Sequence, residues 1–190
     1  MRFGLTEDLR RFPVERHKYG KKTGRLLAHR ISQVLKDLGF RADINKIETN
    51  GVDLKVYDNQ DSLIVVGEIL NWSFHSYVNR DRKSQIINNL SEHFCRRVLI
   101  YTLMGDEHIL EDLPLYDIST IRIGYQILPK YFYDFYAQKN QIESRRLDSK
   151  ETTEEIRSLL GDYLQTIKPR DHSRCLTNES LVEEITNSCL

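Results

Sequence analysis

The chain has 190 residues, enough for one domain with an appended tail. Its 39% hydrophobic and 29% charged residues suit a folded protein with a polar surface, and no apolar run approaches the roughly 20 residues that span a bilayer. The N-terminal MRFGLTEDLRRF lacks the apolar core of a signal peptide, so a cytoplasmic setting without membrane partners is expected. Cys95, Cys175 and Cys189 are odd in number and widely spaced, matching neither a disulfide framework nor a zinc pattern. Cys95 is expected to be a buried thiol beside a strand. The formal net charge is zero but uneven: residues 1–46 carry 12 Lys/Arg against 5 Asp/Glu, a net of +7. Residues 47–140 carry 9 against 13, and residues 141–190 carry 7 against 10. A basic N-terminal part beside an acidic middle favours a phosphate-bearing partner over a merely solvated face.

In chain order, residues 1–22 read as irregular, with Pro13 and a basic cluster at Arg16, His17, Lys18, Lys21 and Lys22. Arg25 to Leu38 is an amphipathic helix, since Leu27, Ile31, Val34, Leu35 and Leu38 share one face, and Gly39 caps it. Phe40 to Ile47 is a strand, Asn50-Gly51 a turn, Val52 to Tyr57 a second strand and Ser62 to Leu70 a third. The third is apolar on both faces, which fits a central strand, and a buried Glu68 there is costly without a partner.

Asn79 to Phe94 reads as a second helix with Ile86, Ile87, Leu90 and Phe94 inward. Strands follow at Arg97 to Leu103 and Thr120 to Leu128, then the aromatic run Tyr131 to Tyr136. That run is read as core or dimer contact. Helices are expected at Glu151 to Ile167 and Glu179 to Asn187. The order gives an α/β layout with a mixed central sheet. It divides into an α/β domain with a basic N-terminal segment at 1–136, and a polar linker with C-terminal helices at 137–190.

Asp53 and Glu68 are the most informative residues. If Gln60 and Asp61 form a two-residue hairpin loop, residues whose numbers sum to 121 face each other, and Asp53 lies opposite Glu68. Such opposed residues have Cβ atoms about 5 Å apart, and like charges there repel. A divalent metal with oxygen ligands resolves the conflict. Asp58 and Asp61 are turn formers, and Glu48 a third acid near the Asn50-Gly51 turn.

The helix ending Leu38-Gly39-Phe40, the Gly51-Val52-Asp53 strand and the Gly67-Glu68-Ile69-Leu70 strand, followed by a helix and an apolar strand, resemble the PD-(D/E)XK nuclease superfamily. The likeness spans roughly Lys21 to Met104 and is nearest to archaeal Holliday junction resolvases and related archaeal or viral nucleases. It implies a restriction-endonuclease-like mixed sheet flanked by helices, with a C-terminal helical extension. It also implies a metal-dependent DNA endonuclease, active on branched DNA, that uses Mg²⁺ or Mn²⁺ held by Asp53 and Glu68. A homodimer is expected by the same analogy, so that each site meets one strand.

Two departures matter. The family lysine falls at Leu70, and the first-helix acid falls near Ala28, whose neighbours Leu27 and His29 are not acidic. Lys55, on the same strand face as Asp53, and Lys83 on the following helix are the candidate replacements. Arg16, Lys18, Lys21, Lys22, Arg25 and Arg80 are candidate phosphate contacts, and His29, Asn71 and Gln85 supporting residues. Trp72 is read as packing at the rim. The alternative is a catalytically inactive nuclease-fold module for DNA binding or assembly. No Walker loop, GxSxG, HExxH or CxxC pattern is present.

Overall fold

A computed structural model of the chain describes residues 13–45, 51–72, 76–102, 108–128 and 145–167. The aromatic run 131–136, the helix expected at 179–187, Glu48, Cys175 and Cys189 lie outside these residues. Helix α1 spans Pro13–Asp37, strand β1 Arg41–Ile44, β2 Leu54–Tyr57 and β3 Leu63–Leu70. Helix α2 spans Arg80–Ser91, β4 Arg96–Thr102, β5 Ile118–Ile123, β6 Gln126–Leu128, β7 Arg145–Leu147 and α3 Lys150–Gln165. Two 3₁₀ turns, His108–Leu110 and Leu113–Tyr116, join β4 to β5.

Five strands form a mixed sheet in the order β1-β2-β3-β4-β5. β1 and β2 run antiparallel to their neighbours, while β3, β4 and β5 are mutually parallel. β3 is thus central, and every residue from Ile64 to Leu70 is buried, as a strand apolar on both faces requires. β6 and β7 make a separate parallel pair.

One core lies between the sheet and α1 with α3. Leu27, Ile31, Val34 and Leu35 of α1 and Ile156 and Leu160 of α3 meet Leu54, Val65, Val98, Ile100 and Ile121 there. The second core lies under α2 and the 3₁₀ turns, where Ile86, Leu90, Leu110 and Leu113 meet Val66, Leu70, Leu99 and Tyr101. The sequence boundary at 136/137 therefore separates elements that share a core. Arg157 of α3 also pairs with Asp37 of α1 at 2.8 Å, and Arg30 with Asp148.

Helix α1 starts at Pro13, twelve residues earlier than the apolar periodicity indicates. Proline is preorganised for a first helical turn, so Pro13 opens the helix where it was read as irregular chain. Gly39, at φ +92°, ends it: its N–H bonds the Lys36 carbonyl and the Phe40 N–H bonds that of Leu35. The strand expected at Thr120 to Leu128 is split at Gly124–Tyr125 into β5 and β6. Cys95 is half-buried and directly precedes β4.

The β2–β3 hairpin fixes the position of the acidic pair. Leu54 pairs with Gly67, Lys55 with Val66 and Val56 with Val65, the expected register. The connection, however, is longer than two residues. Asp58 N–H bonds the Ser62 carbonyl at 3.0 Å, and Asp58 Oδ1 accepts from the N–H groups of Gln60 and Ser62. Tyr57 pairs with Leu63, so β3 carries one extra residue, Ile64. This bulge lets Ile64 and Val65 both enter the α1 core and restores the register beyond it.

Candidate acidic site on the helix α2 face

Asp53 directly precedes β2, whose first pair is Leu54 with Gly67, and its carboxylate lies against Glu68. Asp53 Oδ2 accepts a hydrogen bond from the Ile69 N–H at 2.9 Å, which ties the end of β2 to β3. Alternation turns Glu68 to the same face as Val66 and Leu70, the face covered by α2. The preceding Gly67 has a packing reason: a Cβ there would meet Val98 Cγ1 at 3.0 Å and the Val98 carbonyl at 3.2 Å. Glycine therefore lets β3 and β4 approach beside the acidic residue.

Glu68 is 1% exposed, and α2 supplies its partners. The Asn79 side chain caps the helix by accepting from the Arg82 N–H at 2.8 Å, which sets Arg82 in the first turn. Arg82 Nη2 donates to Glu68 Oε2 at 3.0 Å, and Asn89 Nδ2 donates to Oε1 at 2.8 Å. Gln85 Oε1 accepts from Arg82 Nη1 at 2.7 Å and braces the guanidinium. Asn89 also reaches the Gly51 carbonyl at 3.3 Å, joining α2 to the turn before Asp53.

Burial first, and then the negative charge of Asp53, push the Glu68 carboxyl up to about 7, while Asn89 and Arg82 pull it down. Glu68 therefore stands near its midpoint at neutral pH. When both acids are ionised, one guanidinium leaves their charge incompletely balanced, and that shortfall fits a divalent cation with oxygen ligands. Asp53 and Glu68 would hold it. Among the described residues, no group of three or more His, Cys, Asp or Glu side chains is placed to hold a metal, so further ligands would be water.

The other expected site residues fall in several places. Gln85 joins the site through Arg82. Lys83 points away, to an ion pair with Asp112 beside the second 3₁₀ turn. Lys55 lies on the Asp53 side of β2, opposite Val66, and its charge is felt by His93. Neither lysine bonds Glu68; the cation there is Arg82. Asn71 is a structural clamp: its amide donates to the Ile127 carbonyl at 2.9 Å and accepts from the Ile127 N–H at 3.0 Å. This holds β6 at the end of β3 and takes Asn71 out of the site.

His29 is exposed on α1, whose buried face packs on the opposite side of the sheet from Glu68. Leu70 packs into the α2 core at 2% exposure. Arg80 is exposed at the start of α2, and Arg25 is exposed on α1. Arg16, Lys18, Lys21 and Lys22 fall in the N-terminal half of α1, where the backbone alone is described. Trp72 is half-buried beside the α2 core, and its N–H bonds Thr102 Oγ1 at 2.7 Å.

Arg82 and Asn89 were not among the expected residues. The helical period places them beside the buried stripe without ranking Arg82 above Lys83. Ile86 and Leu90 mark the buried stripe of α2, and Arg82 and Asn89 lie at i−4 and i+3 from Ile86. Comparison with protein-family models, curated proteins and solved structures finds no match to this chain. No helix among the described residues is long and apolar enough to cross a membrane.

Proposed function

We propose that this protein is a metal-dependent DNA endonuclease of the restriction-endonuclease-like class, acting on branched DNA. One observation carries the reading: Asp53, directly before β2, lies against Glu68 of β3, with burial and mutual repulsion raising Glu68 to about 7. The element order and the Gly-Val-Asp and Gly-Glu motifs support it by resemblance. Mg²⁺ or Mn²⁺, when bound, would polarise the phosphodiester and acidify a coordinated water. Asp53 and Glu68 would hold the ion. Arg82, at 29% side-chain exposure, spans from buried Glu68 towards solvent and would meet the phosphate, the charge the family takes from its lysine. Gln85 keeps its planar fork aimed. Two copies related by a two-fold axis would address two strands in an intracellular setting.

A second reading has an observation of its own. Both Glu68 oxygens are already engaged, by Arg82 and Asn89, and Leu70 fills the lysine position. A nuclease fold that binds DNA without cutting it would look like this. Cleavage of end-labelled duplex, single strand and four-way junction in Mg²⁺, Mn²⁺ and EDTA separates the two. The endonuclease predicts metal-dependent cutting that falls about 100-fold or more in Glu68→Gln and in Asp53→Asn. Full cutting by both variants would sink the site assignment. Salt-dependent binding without cutting in any metal would establish the binding module.

A further inference from the structure

A row of cations lies beside the acidic row. Val66 pairs with Lys55 on β2 and with Arg97 on β4, so all three lie on one rung of the sheet. Val66 belongs to the α2 core, and alternation turns Lys55 and Arg97 to that same face. His93 closes the row from the end of α2: its N–H bonds the Leu90 carbonyl at 3.2 Å, and its own carbonyl accepts from Arg97 Nε at 3.0 Å. Lys55, His93 and Arg97 are all half-buried.

We propose that Lys55 and His93, with Arg97 anchoring them, form a second phosphate subsite that takes the phosphate next to the one at Asp53 and Glu68. This rests on the nuclease reading and extends its substrate along the β2–α2 groove. The two rows are two residues apart on each strand, about 7 Å, comparable to the separation of neighbouring phosphates on one nucleic-acid strand. The arrangement mirrors the acidic pair. Cations set beside cations are destabilising unless an anion lies between them.

The nearby carboxylates do not answer that need. Asp43 faces Lys55 across β1 and β2, but it pairs with Arg41 at 3.0 Å. Glu92 is exposed at the helix end, and Glu68 and Asp53 are engaged with Arg82, Asn89 and Ile69. Burial, and then the Lys55 ammonium, hold the His93 imidazole below its usual range against the opposing charge of Glu92, and a bound anion would raise it.

The test uses the full chain in EDTA, with inorganic phosphate and a fluorescent decathymidylate as probes. The His93 ring resonance, assigned with His93→Gln, is titrated by NMR with and without each probe. A bound phosphate raises the His93 midpoint by about one unit or more. Lys55→Ala weakens decathymidylate binding about 10-fold and lowers the salt slope by about 1, with circular dichroism unchanged. An unmoved His93 midpoint in both probes, or wild-type binding by Lys55→Ala, overturns the subsite. Cutting that is lost in Glu68→Gln alongside an unmoved His93 leaves the acidic site standing and removes the subsite. A raised His93 midpoint with no cutting in any metal does the reverse.

Discussion

Helices cover both faces of the sheet, yet the two faces are built differently. The α1–α3 face is apolar from β2 to β5: Leu54, Val65, Ile69, Val98, Ile100 and Ile121 meet the apolar stripes of two helices. The α2 face is interrupted. Glu68 sits among Val66, Leu70 and Leu99, and Lys55, Arg82, Asn89, His93 and Arg97 surround that core with charge and amides. Apolar packing thus continues across one face and a buried polar network interrupts the other, because a buried carboxyl is tolerable only where polar partners can be brought to it.

The largest expected effect tests the apolar face. Ile100→Ala removes a side chain 1% exposed in the α1–α3 core and should cost about 2–5 kcal/mol in chemical denaturation. The Glu68 midpoint, followed by NMR, should stay where it is. A shifted midpoint would show that the two faces are not independent.

The next effect is a pH dependence of the other face. The folded Glu68 carboxyl lies at about 7, above the 4.5 of an unstrained glutamate. Between those values the folded state holds a proton that the unfolded state has released. Its contribution to stability is therefore fully present below about 4.5 and is lost as pH rises to about 7, a change of about 3 kcal/mol. Thermal melts should show higher stability at pH 5 than at pH 8, and Glu68→Gln should flatten that difference. An equally steep profile in the variant would place the effect elsewhere.

The smallest effect separates a clamp from a site residue. Asn71→Ala leaves the Ile127 N–H and carbonyl unpaired in a buried position, which should cost about 1–3 kcal/mol. Metal-dependent cutting at a temperature below the variant's melt should be within a few-fold of wild type. A loss comparable to Glu68→Gln would return Asn71 to the site.

In the β2–β3 hairpin, local patterns settle the strand pairing but not the length of the loop. The two-residue loop was wrong and the register was right, because the bulge at Ile64 absorbs the difference. A polar break marks a turn without counting its residues, whereas the apolar alternation of the strands sets which residues must pair. The start of α1 was missed for a related reason. Residues 13–24 carry many charges and little apolar periodicity, so only the proline signals the first turn. A polar stretch such as the one after residue 136 looks like a linker whether or not the next helix packs back, as α3 does.

Sequence by itself determined the mixed α/β class, the central place of β3, the α3 helix and the register of β2 against β3. Each follows from a short-range period or from a charge where burial forbids one. Tertiary structure alone decided which cation answers Glu68. Arg82, Lys83 and Arg80 crowd one helical turn, and a one-dimensional pattern ranks them alike. The Asn79 cap and the Ile86–Leu90 stripe set the rotation of α2 on the sheet. That rotation sends Arg82 to Glu68 and Lys83 to Asp112. The choice depends on how a helix is turned against a surface built from distant residues, which no local spacing encodes.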